Sequence, residues 1–129
     1  MVGAVRDFGI HSPFVCRAST LSSRAAALCR EFRELGRASG AELTCVSQAA
    51  SGQISVFGSP GGDPSLVQRL RATARQVGGN LVAARVPETW LGEVDPWGDP
   101  GAAVRLISGI KKTLDPTGLF APGRMAGRV

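Results

Sequence analysis

The sequence contains no tyrosine, a single histidine and no long apolar run. The single histidine, His11, lies in a predicted loop and does not by itself indicate a Ser-His-Asp catalytic triad. No apolar run is long enough to span a bilayer, and residues 1–10 lack the apolar centre of a signal peptide. We therefore expect a cytoplasmic protein with no membrane span.

Cysteine is also scarce. Cys16, Cys29 and Cys45 are far apart in the sequence, which excludes a zinc knuckle and a C-x-x-C redox motif. Cys29 and Cys16 fall in apolar patterns. We expect buried free thiols, as is typical of a reducing compartment.

Nucleotide-binding motifs are missing as well. No G-x-G-x-x-G or P-loop sequence follows a predicted strand, so no segment is predicted to bind a dinucleotide by itself. The net charge of +5 is spread along the chain without a run of like charges. This distribution favours a solvated basic surface over a dedicated nucleic-acid site.

What is present is the pattern of one α+β domain spanning residues 1–129. Apolar alternation and helical spacing predict the order β-α-β-β-α-β, which is the ferredoxin-like arrangement. Each helix has one apolar stripe, so both should lie on one face of an antiparallel sheet. The predicted elements are strand 13–19, helix 22–38, strands 42–48 and 53–58, a helix that starts at Asp63-Pro64 and ends before Gly78-Gly79, and strand 80–86.

A third helix and a hooked tail complete the predicted fold. Asp99-Pro100 begins this helix in the same way as Asp63-Pro64 begins the second one. Pro116 ends it, and Gly118 and Pro122-Gly123 predict two tight turns. Its apolar stripe is expected to be buried and consists of Ala103, Val104, Ile107, Ile110 and Leu114.

The tail carries a family resemblance. Residues 109–124, G-I-K-K-T-L-D-P-T-G-L-F-A-P-G-R, resemble the ending K-x-x-(F/L)-D-P-x-G-x-(F/L)-N-P-G-(R/K) of FAD-linked oxidases of the vanillyl-alcohol oxidase type. Residues 94–98, V-D-P-W-G, and 16–19, C-R-A-S, are similar to segments of the glycolate oxidase FAD-binding subunit. Ala121 departs from the usual asparagine. The histidine cluster that binds a metal in some relatives is missing, so we expect no metal.

The resemblance implies a function. The chain would be the C-terminal, substrate-side domain of an FAD-dependent enzyme that oxidises a 2-hydroxy acid such as glycolate. FAD would be held mainly by an N-terminal domain that is absent from this sequence, so the chain alone would be inactive. Implied partners are a flavin-binding domain or subunit, an iron–sulfur subunit and the small 2-hydroxy acid, with no nucleic acid.

Arg17 is the candidate substrate-binding residue. It lies on a predicted central strand, and a planar guanidinium can bind a carboxylate through two parallel hydrogen bonds. The tail residues Pro122, Gly123 and Arg124 are the candidates for contacts to the flavin. No catalytic residue is predicted, because His11 is more typical of a linker before the first strand.

A binding or docking module is the alternative. A ferredoxin-like sheet leaves one face open, and such a face can bind RNA, a metabolite or another subunit of a flavoenzyme complex. Phe14 and Phe57 would be the stacking aromatics of an RNA-binding face, although the basic glycine-aromatic motif of RNA-recognition modules is missing.

Overall fold

The chain divides into two compact units in a computed structural model that describes residue 9 and residues 11–61 and 63–129. One unit ends at Pro96 and the other spans Trp97–Val129. In the described part of the chain, no helix combines the length and the apolar character that crossing a membrane requires.

The first unit is a four-stranded antiparallel sheet in the order β2-β3-β1-β4. This order, with a helix after β1 and another after β3, confirms the ferredoxin-like βαββαβ prediction. Its elements are β1 (Phe14–Ser19), α1 (Ser22–Ala38), β2 (Glu42–Gln48), β3 (Gln53–Ser59), α2 (Ser65–Gln76) and β4 (Asn80–Arg85).

The alternation of side chains along β1 decides which face holds the core. Phe14, Cys16 and Ala18 are buried on the face that the helices cover. Arg17 and Ser19 point to the opposite face and are exposed. The predicted assignment of the two faces is therefore confirmed, and it places Arg17 on the central strand with its side chain towards solvent.

Both helices of the sheet unit bury the apolar stripes predicted for them. Leu28 and Phe32 of α1 and Leu66 and Leu70 of α2 have no exposed surface. The region before α2 is organised by Asp63, whose Oδ1 accepts the Ser65 N–H at 2.9 Å. The stripes confirm that helical spacing identified the inward face of each helix.

A buried arginine joins three parts of the sheet unit. Arg71 of α2 is 3% exposed, and its guanidinium donates to the carbonyl oxygens of Leu81 at 3.1 Å, Asp95 at 2.8 Å and Pro96 at 3.2 Å. Burial lowers the pKa of Arg71, and the nearby Asp95 carboxylate opposes that shift. These bonds fasten the irregular segment after β4 to the core, a role that the sequence analysis did not assign to Arg71.

The second unit contains α3 (Ala103–Leu114) and a turn-rich tail. The predicted start at Asp99-Pro100 is too early, because α3 begins at Ala103 without a side-chain cap; the Asp99 Oδ1 accepts the Gly101 N–H at 2.9 Å in the turn before it. The prediction that its apolar stripe is buried was wrong, because no residue of α3 is buried. Helical spacing identifies an apolar face, but burial also needs a second layer, and residues 97–129 form one α-helix, a short 3-10 helix (Ala126–Arg128) and turns. The most exposed apolar side chains of this unit are Leu106, Leu114, Leu119 and Phe120.

The predicted hook exists and is organised by Asp115. Its carboxylate accepts the backbone N–H groups of Leu119 at 2.9 Å and Phe120 at 3.0 Å and pairs with the Lys111 ammonium. Lys111 also donates to the Phe120 carbonyl. The Lys111 hydrogen bond and the two backbone donors hold the pKa of Asp115 below its ordinary value. Lys111 and Asp115, the first and fifth residues of the K-x-x-x-D-P segment, thus hold the turn that reverses the chain after α3.

Candidate carboxylate-binding site

The open face of the sheet has two different ends. At one end Gly9 lies against Phe57, since a Cβ on Gly9 would come within 2.1 Å of the Phe57 ring. At the other end, around Arg17 and Ser19, the face forms a shallow depression of about 440 Å³. Polar side chains line this depression and are available to a small molecule.

Strand register brings the lining of the depression together. Arg17 of β1 lies opposite Ser55 of β3 and Val82 of β4. One step along β1, Ser19 lies between its register partners Gln53 and Asn80. Gln48 of β2, the register partner of Gln53, completes the polar lining. Side chains from all four strands therefore converge around one guanidinium.

Charge in the depression has one sign. Arg17 is the cation, and none of the nine lining residues is Asp or Glu. Within the described part of the chain, Arg17 forms no hydrogen bond or ion pair. The surrounding amides and hydroxyls can donate or accept hydrogen bonds without cancelling its charge. The arrangement suits a small anion that also carries a hydroxyl group.

A glycine turn fixes the position of this end of the sheet. Gly52, between β2 and β3, has a φ of +70°, and a Cβ there would lie 1.9 Å from the Thr20 carbonyl oxygen. The Gly52 carbonyl also accepts the Thr20 N–H at 3.0 Å. Only glycine allows both the positive φ and this close approach. The turn therefore holds Gln48 and Gln53 beside the end of β1.

The depression has no group suited to general acid–base catalysis. Its nine lining residues include no histidine, carboxylate, lysine, cysteine or tyrosine. His11 is exposed before β1 and is not among them. The depression can therefore bind and orient an anion, whereas removal of a proton from a bound hydroxyl requires a group from elsewhere.

The predicted flavin-contacting residues lie in the second unit. Pro122, Gly123 and Arg124 are exposed, and the Arg124 carbonyl accepts the Trp97 Nε1–H at 2.8 Å. Gly123 has a φ of +69° with no atom within 4 Å of an added Cβ. This open surface does not fit FAD as a site of its own, because no enclosed cradle surrounds it. The residues offer one cation beside a turn, so another surface would have to supply the rest of a flavin site.

The two phenylalanines proposed for RNA stacking do not share a face. Phe14 has no exposed surface and meets Trp90 edge to face, with ring centroids 6.1 Å apart. Phe57 lies on the opposite face, as the register partner of Val15. That Phe14 could serve as a stacking residue was therefore wrong, because β alternation turns its side chain into the core.

Gln48, Gln53 and Asn80 were not predicted from the sequence as site residues. Each begins or ends a strand, and polar residues at strand ends are common, so none attracted notice singly. Their shared position follows from the β2-β3 turn and from the crossover that places β4 beside β1. A register drawn from the predicted ferredoxin-like order would have placed Asn80 and Gln53 on either side of Ser19.

Comparisons of this chain with protein-family models, with curated proteins and with solved structures found no match. Across residues 9, 11–61 and 63–129, no three histidine, cysteine, aspartate or glutamate side chains group as metal ligands.

Proposed function

We propose that this chain is the substrate-side domain of an FAD-dependent enzyme that oxidises a 2-hydroxy acid such as glycolate. The single observation that carries the proposal is the exposed Arg17 at the centre of a depression lined by amides and hydroxyls. The second support is the tail motif, whose Lys111 and Asp115 hold the turn after α3.

The proposed binding mode follows from the side chains in the depression. The Arg17 guanidinium donates to the two carboxylate oxygens of the substrate, which is the strongest arrangement available to that group. Ser55 or Asn80 hydrogen-bonds the hydroxyl group and so distinguishes a 2-hydroxy acid from a simple carboxylate. The four strands hold these side chains in place, and the chain thereby orients the substrate.

The flavin, when bound, accepts the two electrons of the oxidation. In this proposal the group lies mainly in a domain or subunit outside residues 1–129, since the exposed Pro122–Arg124 surface does not enclose it. Arg124 offers a cation to that neighbouring domain. The base that takes the hydroxyl proton also comes from there, because the depression contains none. An iron–sulfur subunit that accepts the electrons is a further proposed partner.

Binding by the chain itself is the first test. We would titrate the 129-residue chain with glycolate, lactate and acetate and follow the backbone amide signals of Arg17, Ser55 and Val82 by NMR. We expect the hydroxy acids to bind more tightly than acetate. Arg17→Met should weaken binding tenfold or more, roughly the worth of a charged hydrogen-bonded pair. Arg24→Met, at an exposed position on α1, is the matched control and should bind as the native chain does.

Catalysis needs a separate test on the native polypeptide that carries this segment. We would isolate it from its source cells, measure its intact mass and flavin absorbance, and assay 2-hydroxy acid oxidation with an artificial electron acceptor. A mass well above 13.4 kDa, bound flavin and activity that Arg17→Met removes would support the proposal. Flavin-free protein without activity would refute it.

A metabolite-binding module is the second candidate. The absence of an acid or base among the nine lining residues favours binding without chemistry. This candidate predicts the same titration result and the same effect of Arg17→Met. It differs in predicting that the native polypeptide carries no flavin and turns over no substrate.

A further inference from the structure

Two of the three cysteines face each other between α1 and the edge strand β2. Gly36 near the end of α1 lies over Leu43, since an added Cβ would meet the Leu43 side chain at 2.8 Å. The helix runs antiparallel to β2, so two turns back from Gly36 the helix reaches Cys29, and two residues on from Leu43 the strand reaches Cys45. Both cysteine side chains lie on the helix-covered side of the sheet.

The pKa shifts of the two thiols are those of neighbouring groups. Burial raises the pKa of Cys29, and Cys45 and Ser47 oppose that rise. The positive charge of Arg33, one turn further along α1, favours the lower pKa at both thiols and so opposes the effect of burial. Cys16 differs, because it has no exposed surface and its charged neighbour is Arg71. Cys29 and Cys45 thus form a pair, and Cys16 stands apart.

Access to the pair comes from the edge of the sheet. Among the described strands β2 pairs only with β3, and Cys45 is partly exposed. Cys29 is 8% exposed. A small oxidant such as hydrogen peroxide can approach along this edge, whereas Cys16 is enclosed by the core.

We propose that hydrogen peroxide closes Cys29 and Cys45 to an intramolecular disulfide, which fastens α1 to the edge strand β2. This proposal does not depend on the proposed oxidase function. The disulfide would close the loop that runs from the middle of α1 to the middle of β2, and its main effect would be to restrain the unfolded chain.

The reaction balances in two steps. The Cys29 thiol loses its proton, and the thiolate attacks one oxygen of hydrogen peroxide; the O–O bond breaks, Cys29 becomes a sulfenic acid, and the leaving hydroxide takes up that proton as water. The Cys45 sulfur then attacks the Cys29 sulfur, the S–O bond breaks, and a second water leaves. Two thiols and one peroxide give one disulfide and two waters.

Cys29 is assigned the first attack because its neighbours favour its thiolate. Burial raises the pKa of both thiols, that of Cys45 to about 12. At Cys29 the hydrogen bonds from Cys45 and Ser47 and the charge of Arg33 oppose that rise. At Cys45 the adjacent Cys29 adds to it. The reaction is therefore slow at neutral pH, and Cys29 leads it.

Peptide mapping tests the linkage directly. We would treat the folded chain with excess hydrogen peroxide, block the remaining thiols, digest with trypsin and measure masses. Cleavage at arginine separates the three cysteines into peptides 7–17, 25–30 and 38–69. We expect peptides 25–30 and 38–69 to be joined, with a loss of about 2 Da for the two hydrogens. Peptide 7–17 should carry the blocking group.

Variants separate the roles of the two sulfur atoms. Cys45→Ser should accumulate a sulfenic acid on Cys29 that a dimedone probe traps, and Cys29→Ser should give much less trapping on Cys45. Cys16→Ser is the matched control and should form the disulfide at the native rate. Oxidation should raise the thermal unfolding midpoint of the native chain and of Cys16→Ser, but not of the other two variants.

Three results would overturn the proposal. One is that the folded chain keeps all three thiols under oxidant that cross-links the denatured chain. Another is a linkage that involves Cys16. The third is a linkage whose yield rises with protein concentration, which would mean that it joins separate chains.

Discussion

Three α-helices in the described part of the chain have an apolar face, but only two of them bury it. α1 and α2 lie on a sheet, and their inward side chains, Phe32 and Leu70 among them, have no exposed surface. α3 has the same kind of pattern, yet Leu106 is 67% and Leu114 76% exposed. A helical pattern of apolar residues therefore predicts a face and leaves open whether anything covers it.

The hydrogen bonds of the two units differ in the same way. The sheet unit satisfies a buried cation, Arg71, with three backbone carbonyls from β4 and the following loop. The tail unit is organised around a buried carboxylate, Asp115, whose partners all lie within five residues of it in sequence. Arg71 is thus satisfied by residues distant in sequence, and Asp115 by residues close to it.

The largest expected difference between the units concerns their apolar side chains. Phe32→Ala removes a fully buried ring and should lower the free energy of unfolding by about 3–5 kcal/mol. Leu114→Ala, at the exposed face of α3, should change it by less than about 0.5 kcal/mol. Denaturant unfolding of both variants measures the contrast. Equal losses would mean that the α3 face is covered in solution.

The next effect concerns Arg71. Arg71→Ala leaves the carbonyls of Leu81, Asp95 and Pro96 without their donor and should lower the free energy of unfolding by about 2–3 kcal/mol. Arg71→Lys keeps the charge, but a single ammonium cannot reach all three carbonyls. Its loss in the free energy of unfolding should be smaller than that of Arg71→Ala. Arg30→Ala, at an exposed position on α1, is the control and should be nearly neutral. A neutral Arg71→Ala would show that water replaces these bonds without loss.

The smallest effect is local and depends on pH. The pKa of Asp115 is lower in the folded hook than in an unfolded chain, so the stabilisation it provides is present above the unfolded pKa of about 3.9. That stabilisation is lost as the pH falls through the folded pKa. We expect the Leu119 and Phe120 amides to exchange with solvent faster as the pH falls below about 4, relative to the intrinsic rate, by NMR.

Two carboxylates provide the comparison for that measurement. Asp115→Asn should remove the acid dependence of hook exchange, because the side chain no longer titrates. Asp63→Asn is the control, since the pKa of Asp63 is also lowered, by the Ser65 side chain and backbone N–H before α2. It should leave the hook unchanged. Acid-insensitive Leu119 and Phe120 amides in the native chain would contradict the role given to Asp115.

Much of the sheet unit could be predicted from the sequence, because local patterns and burial agree there. The bounds of α1 and β2 match the prediction, and β3 and β4 differ from it by one residue each. The alternation of Cys16 and Arg17 gave the correct faces, since a strand has a period of two. Where the surroundings of a residue are set by residues near it in the sequence, the local pattern is sufficient to predict its structure.

The rest depended on contacts between distant residues. Arg71 is one arginine among many in the sequence, and only the fold shows that carbonyls surround it. The depression around Arg17 needed the strand register, which places Asn80 and Gln53 on either side of Ser19. Whether the apolar face of α3 is buried depends on what packs beside it, and helical periodicity carries no information about that.

The fastening of the segment after β4 has a practical consequence for protein engineering. The Ala83 N–H donates to the Pro96 carbonyl at 2.8 Å, and Arg71 donates to the same oxygen. Pro96 is thus held at a fixed point beside β4, and the core residues of the sheet unit all precede it. A fusion or a stop codon placed directly after Pro96 would leave every one of those contacts in place. Pro96 therefore marks the end of the sheet unit, and a chain that ends there keeps all nine residues that line the Arg17 depression.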